Sequence, residues 1–185
     1  MKRIALALLL SSACVNHVMA EDVPAVLTVN GALTKNTGEC GVTLNKSAVA
    51  LGNHDMNHIP SATTNPLPVN NYTSPAVLIH ASVAGDGCNF RYDTDNNYKF
   101  MEMRITGAAT SNDNTVLVNT LTGEQAALGY GVGVYDYDGK KLALNNNFRF
   151  GNQNVYFYMS MVALPNMGKK AGNVQAMATV SIERL

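Results

Sequence analysis

The sequence predicts an all-β protein, and its composition and periodicity carry that prediction. Charged residues make up only 14% of the 185 residues, whereas apolar residues make up 46%. Val, Thr, Tyr and Asn, which favour strands and turns, are frequent. Several stretches alternate apolar and polar residues as half-buried strands do, and no long segment shows a helical period. The length suits one domain with one sizeable core.

The most regular alternation is the last stretch, residues 173–185. One face of this predicted strand carries the apolar set Val174, Ala176, Ala178, Val180 and Ile182. No proline interrupts the stretch. A strand this regular needs partners on both sides, because an unpaired edge leaves a row of free backbone groups. The residues that pair with it therefore become the central question about function.

The first 20 residues have the features of a cleaved secretory signal. Lys2 and Arg3 precede a short apolar run, and Val18-Met19-Ala20 is an acceptable cleavage site. We therefore expect a signal peptide over residues 1–20 and a mature chain that begins at Glu21. The surroundings of Cys14 faintly resemble a lipoprotein site, which leaves lipidation open as an alternative.

Removal of the signal leaves two cysteines, Cys40 and Cys88. An exported chain with two cysteines most simply forms one disulfide, and two free thiols are the alternative. Closing the intervening loop would be worth roughly 4 kcal/mol in the chain-entropy model of disulfide stabilisation.

The start of the mature chain also alternates, with Ala25, Leu27, Val29, Gly31 and Leu33 on one side. Residues 52–75 read as a long polar connection, and Asp138-Gly139 as a hairpin turn. Units of about 8–12 residues per strand and turn suggest a β-sandwich. Further strands are predicted around Val42–Leu44, Val49–Leu51, Ala76–Ala84, Phe90–Tyr92, Phe100–Ile105, Val116–Val118, Leu128–Tyr137, Leu142–Leu144 and Val155–Met161.

Taken together, these features resemble subunits of chaperone–usher fimbriae, the type 1 fimbrial pilin family of Gram-negative bacteria. A signal peptide is followed by an alternating arm that contains Gly31, and Cys40 and Cys88 have the family's separation. Residues Gly123–Gly139 resemble its Ala-x-Gly-Val-Gly-Val-x-Ile/Leu-Tyr-Asp-x-x-Gly region. Residues Ala171–Ile182 resemble its alternating terminus. One departure is Arg184, at a position where the family usually has an aromatic residue.

The resemblance implies an incomplete immunoglobulin-like β-sandwich, over residues 34–185, that is completed by a donor strand from outside. Residues 21–33 would be the donor arm, with Ala25, Leu27, Val29, Gly31 and Leu33 as its inserted positions. The acceptor groove would be lined partly by Val174, Ala176, Ala178, Val180 and Ile182. A periplasmic chaperone would fill the groove first, and the arm of the next subunit would replace it by β-strand addition.

Other constellations are weak. His54 and His58 with Asp55 could form half a metal site, although a solvated loop is the simpler interpretation. Asp93, Asp95 and Asn97 lack the Gly and Glu of a calcium loop. No nucleophile motif or paired carboxylate suggests an enzyme. Sugar stacking or core packing could account for the tyrosines Tyr130, Tyr135, Tyr137, Tyr156 and Tyr158.

The sequence therefore predicts a structural subunit of a fimbrium that supports adhesion and is exported through the periplasm to the cell surface. Its partners would be other fimbrial subunits, the chaperone and an outer-membrane usher, with a host glycan or protein as a further possibility. No cofactor or catalytic residue is expected, and the balanced net charge argues against nucleic acid. The alternatives are a single-domain adhesin or carbohydrate-binding module, and a monomer whose arm enters its own groove.

Overall fold

The computed structural model describes residues 25–31, 40–69, 76–85, 88, 101–110 and 113–183. These residues form strands and contain no helix, which confirms the prediction of an all-β fold. The strands are β1 (Ala25–Gly31), β2 (Gly41–Leu44), β3 (Ala48–Gly52), β4 (Ala76–Ala84), β5 (Met101–Gly107), β6 (Ala109–Thr110), β7 (Asp113–Val118), β8 (Tyr130–Asp136), β9 (Asn147–Phe150), β10 (Asn154–Ala163) and β11 (Gln175–Glu183).

The strands form two sheets. Sheet A has five strands in the order β3-β1-β11-β5-β9. Sheet B has six strands in the order β2-β4-β10-β8-β7-β6. Every ladder in sheet B is antiparallel, whereas β1 and β11 of sheet A are parallel. No helix in the described part of the chain is long and apolar enough to cross a membrane.

Both sheets contribute to one main core. Sheet A supplies the alternate residues Val49, Leu51, Met101, Met103, Ile105, Phe150, Ala176, Ala178 and Val180. Sheet B supplies Val42, Ile79, Ala81, Val83, Leu117, Val132, Val134, Phe157, Met159 and Met161. The period-two alternation in each strand therefore places its apolar set between the sheets, as the pleat of a strand requires.

A second, smaller cluster lies on the opposite face of sheet B. It joins Val116, Tyr135, Tyr158 and Val162 of the sheet to Ala62 and Leu67 of the connection between β3 and β4. Backbone hydrogen bonds fix this connection, because Ala62 N donates to Ala163 O at 2.8 Å and Leu67 N to Gly139 O at 2.7 Å. Strand β10 is consequently buried without interruption from Phe157 to Ala163. The segment predicted to be a polar loop is therefore a cover for sheet B.

The predicted hairpin after β8 is only partly correct. The turn is present, since Gly139 N donates to Asp136 O at 3.1 Å and Asp136 N to Lys140 O at 2.7 Å. Beyond it, however, the Leu142–Leu144 segment does not continue as a strand. After a single bridge between Tyr135 and Lys141, the chain leaves sheet B and forms β9 at the edge of sheet A.

The structure contains the predicted disulfide between Cys40 and Cys88, with a Cα–Cα distance of 4.7 Å. The disulfide joins the residue before β2 to the segment after β4. These two strands also pair with each other, from Gly41↔Ala84 to Leu44↔Ala81. Several predictions fall outside the described residues: the signal peptide over residues 1–20, Leu33, the strand at residues 90–92, Asp93, Asp95, Asn97 and Arg184.

Candidate functional site: the strand position between β3 and β11

The terminal strand β11 is central in sheet A, with β1 on one side and β5 on the other. Of the predicted groove residues, Val174, Ala176, Ala178 and Val180 are buried in the main core, and Ile182 packs against it half-buried. On the opposite face Met177 is 50% exposed. The apolar alternation of the terminal sequence thus faces the core, and its polar alternation faces outward.

Strand β1, the predicted arm, occupies the position between β3 and β11 of its own chain. Six register pairs join it to β11 in parallel, from Val26↔Gln175 to Gly31↔Val180. Four register pairs join it to β3 in the antiparallel direction, with an irregularity between Ala25 and Val26. Without β1, sheet A would contain no ladder between β3 and the rest of the sheet.

The register matches the predicted donor positions to the predicted groove positions. Leu27 pairs with Ala176, Val29 with Ala178, and Gly31 with Val180. Ala25 pairs with Gly52 of β3. A slip of one residue would pair every donor position with an outward position of β11, so the alternation on both strands selects this register.

The entry of the chain into β11 is fixed by Asn119, a residue that the sequence interpretation missed. Its Nδ2 donates to the carbonyl oxygens of Ala127, at 3.0 Å, and Asn173, at 2.9 Å. Its Oδ1 accepts from the backbone N–H of Leu121, at 3.1 Å, and of Gln175, at 2.9 Å. One carboxamide thus uses both its donors and its acceptor on backbone groups, which anchors the first residue of β11. An isolated Asn after a short strand gives no sequence signal for this role.

Gly107, at the end of β5, allows a close approach beside β11. A Cβ added at Gly107 would lie 2.8 Å from Met177 O and 2.3 Å from Leu117 Cδ2, so only glycine fits there without displacement. Asn145 completes the contact, because its Nδ2 donates to Gly107 O at 3.1 Å and its Oδ1 accepts from Gly107 N at 3.2 Å. The side of β11 away from β1 is therefore closely packed against β5.

The His54–His58 segment is a hydrogen-bonded turn. Asp55 accepts from the backbone N–H of Asn57 at 2.9 Å, and its other carboxylate oxygen lies 3.1 Å from Nδ1 of His58. The backbone hydrogen bond from Asn57, assisted by His58, lowers the pKa of the exposed Asp55 carboxyl. Nε2 of His54 lies 2.5 Å from the carbonyl oxygen of Leu51. Within the described ranges, no three His, Cys, Asp or Glu side chains are grouped as metal ligands would be.

The five tyrosines for which the sequence allowed either sugar stacking or core packing fall into two groups. Tyr130 and Tyr135 are buried, and Tyr158 is only 8% exposed. In contrast, Tyr137 is 60% exposed and Tyr156 is 42% exposed. Core packing thus accounts for three of these side chains, and two present their rings to solvent.

No protein-family model matches this chain, and no curated protein is significantly similar to it. The function must therefore be argued from the residues and their geometry.

Proposed function

We propose that this protein is a structural subunit of a chaperone–usher fimbria that polymerises by donor-strand exchange. The observation that carries the proposal is the placement of β1 as an inner strand of sheet A, between β3 and β11. This strand lies at the start of the mature chain that the sequence predicts; its neighbour β11 is far from it in sequence, and only β2 separates it from β3. Such a strand is replaceable: a segment with the same alternation could take its position.

In the proposed polymer, the arm of one subunit would occupy the position between β3 and β11 of the next. Each subunit would then be an immunoglobulin-like sandwich completed from outside. Fully burying a Leu or Val side chain is worth about 1.5–3 kcal/mol, so Leu27, Val29 and a full ladder would hold a contact that rarely opens. Insertion of each arm into the groove of the next subunit is a head-to-tail contact. Because this contact does not close into a ring, it builds a filament. The assembly chaperone and the usher would be its partners before incorporation.

The two neighbours of β1 run antiparallel to each other, because β1 is parallel to β11 and antiparallel to β3. Any strand inserted between them therefore forms one parallel and one antiparallel ladder. The ladder with β11 has six register pairs and the ladder with β3 has four. Antiparallel ladders are slightly more stable per residue, so an arm that runs opposite to β1 would place the better geometry on the longer ladder. We expect a neighbour's arm to enter in that direction.

The second candidate is a monomer whose arm remains in its own groove. The pairing of β1 with β3 and β11 of the same chain favours it directly. The two candidates differ in which chain supplies the strand and in the direction of that strand, and both differences can be measured.

Paired cysteines on the outward positions of β11 separate the candidates. In the parallel register, Thr28 is the partner of Met177. A reversed arm that keeps Val29 opposite Ala178 would instead bring Asn30 to Met177. The double variants Thr28→Cys/Met177→Cys and Asn30→Cys/Met177→Cys would be unfolded in denaturant, refolded at low and at high protein concentration, and oxidised. Non-reducing electrophoresis then reports monomers or ladders of multimers.

We expect Asn30→Cys/Met177→Cys to give intermolecular ladders that strengthen with concentration, and Thr28→Cys/Met177→Cys to give cross-linked monomers. Asn30→Cys/Met167→Cys is the matched control, because Met167 is as exposed as Met177, at 50%, but lies outside β11. Cross-linked monomers alone, at every concentration, would reject polymerisation and leave the self-completed monomer.

A further inference from the structure

A group of aromatic side chains lies on the outward face of sheet B, where the fimbrial function does not use it. The rings of His80 and Tyr156 are stacked, with centroids 4.7 Å apart and an interplanar angle of 14°. Tyr137 stands at 6.2 Å from the ring of Tyr156 and also at 6.2 Å from the ring of Tyr158. We call these four side chains, together with Asn154, the tyrosine face.

Strand register builds the tyrosine face. His80 of β4 pairs with Tyr156 of β10. The next pair, Ile79↔Phe157, points into the main core, so His80 and Tyr156 point outward. The turn at Asp136–Gly139 then carries Tyr137 over the end of β8, beside both tyrosines of β10. Sheet geometry, rather than a mobile loop, therefore fixes the spacing of the rings.

The face is exposed although its residues are costly to expose. Tyr137 is 60% exposed, Tyr156 is 42% exposed, and the adjacent Leu78 is 37% exposed. On the same side of sheet B, Tyr135 and Tyr158 are covered by the connection that contains Ala62 and Leu67. The described part of this cover, up to Val69, leaves the rings of Tyr137 and Tyr156 exposed. An aromatic surface bordered by polar atoms is therefore open to solvent beside the cover.

We propose that the tyrosine face binds a neutral saccharide. The face of an aromatic ring is electron-rich, and the C–H groups on one side of a pyranose ring present the positive edge that stacks on it. Polar groups for the sugar hydroxyls border the rings: the phenol oxygens of Tyr137 and Tyr156, and the carboxamide of Asn154. That carboxamide is already oriented, because its Oδ1 lies 2.8 Å from Nε2 of His80, and its NH₂ group is a donor.

The local charge favours a neutral ligand. The turn beside Tyr137 carries Asp136 and Asp138 against Lys140 and Lys141, so its formal charges cancel. Oδ1 of Asp136 is also engaged, since it accepts from the backbone N–H of Asp138 at 2.9 Å and of Lys140 at 2.8 Å. A sialylated or sulfated sugar would find no excess of positive charge on this turn.

The size of the exposed surface favours a small ligand over a protein. A whole aromatic side chain buries 150–250 Å², so the exposed parts of Tyr137 and Tyr156 offer on the order of 200 Å². A stable protein interface needs about 800 Å² from each partner. One or two sugar rings match the smaller area, and contact between copies of this chain would be weak.

The test is a titration of the refolded full chain with lactose, cellobiose, maltotriose and a linear mannotriose, followed by NMR of labelled protein and by saturation transfer to the sugar. We expect binding of at least one of these probes, with shifts at residues of β4, β10 and the 136–139 turn. Tyr156→Ala and Tyr137→Ala should each weaken binding by about tenfold or more. Tyr156→Phe keeps the stacking ring and should lose less.

Met167→Ala is the matched control and should bind as the wild type does, because Met167 is 50% exposed and follows the end of β10 that lies away from Tyr156. The proposal is overturned if none of the probes binds, or if binding persists in the double variant Tyr137→Ala/Tyr156→Ala. It is also overturned if the tyrosine variants instead abolish a concentration-dependent association of the chain, because the face would then be a contact between copies. Circular dichroism of each variant checks that it is folded.

Discussion

Sheets A and B share a core but are completed in different ways. In sheet B, β4, β10 and β8 are joined by full antiparallel ladders, and part of the outer face is covered by the connection between β3 and β4. In sheet A, β3 is joined to β11 only through β1, a strand from the beginning of the described chain. The strands of sheet B all lie between Gly41 and Ala163, with β3, β5 and β9 of sheet A interspersed, whereas sheet A also contains β1, which precedes all of them and which the proposed exchange would replace.

The difference matters for the proposed assembly, because the strand position that it would use lies in only one of the two sheets. Both sheets contribute to the main core, and sheet B has in addition the smaller cluster that contains Leu67 and Tyr135. The strand position that a partner could use lies in sheet A, beside a β11 that is anchored at its start by Asn119. The proposed acceptor groove needs one fixed wall and one replaceable strand, and sheet A contains both, as β11 and β1.

The largest expected effect is that of deleting residues 21–33, which removes the whole of β1. Six register pairs with β11 and four with β3 are lost, and β3 is detached from sheet A. We expect the truncated chain to lose its cooperative thermal transition. A synthetic peptide of residues 21–33, added in trans, should restore that transition, and a peptide with Val29→Asp should not. A truncated chain that melts as the full chain does would show that β1 is dispensable to sheet A.

A smaller effect, confined to sheet B, is expected for Leu67→Ala. The Leu67 side chain is buried against Val116, Tyr135 and Tyr158, and truncation of such a side chain leaves a cavity. The free energy of unfolding should fall by about 3 kcal/mol, measured by urea denaturation. Leu128→Ala is the control, because Leu128 is 55% exposed and its loss should change stability little. Equal effects of the two variants would contradict the covering role of the connection.

The smallest expected effect is on the pH dependence of stability, through a contact between Tyr130 of sheet B and the connection between β3 and β4. The Tyr130 hydroxyl donates to Met56 O at 3.4 Å. Burial, with a smaller contribution from the charge of Asp55, raises the pKa of Tyr130 above its ordinary value of 10.0. The folded state therefore holds the phenol proton more tightly than the unfolded state does. The free energy of unfolding should accordingly fall as the pH rises above about 10. Tyr130→Phe should flatten the alkaline fall in unfolding free energy; an unchanged slope would exclude this contribution.

Regular alternation made much of the fold predictable. The boundaries expected for Ala76–Ala84 are those of β4, and β11 lies within the predicted residues 173–185. Strand β9 was missed, although it is as long as the predicted β2. The cover over sheet B was missed because Ile59, Ala62 and Leu67 are spaced irregularly among polar residues. Tertiary contacts alone decide the burial of these side chains.

The candidate site was predictable only in part. The alternation of the arm and of β11 indicated which residues would share a face, and the register pairs them accordingly. It did not indicate whose arm would fill the position, since the same pattern suits the chain's own strand and a neighbour's. The division of the tyrosines was also hidden, because Tyr156 and Tyr158 have the same strand parity and only the end of the cover distinguishes them.

The disulfide gives the arm a fixed point of attachment. Cys40 is held at the start of sheet B, and only residues 32–39 separate it from the end of β1. Eight residues reach at most roughly 30 Å when extended. If a neighbour's arm enters as proposed, the chain's own β1, joined by so short a connection, would compete with it at an effective concentration on the order of millimolar. In the proposed polymer, a free arm at ordinary cellular concentration would rarely displace it, so the order in which subunits are filled, rather than affinity alone, would determine the length of the filament.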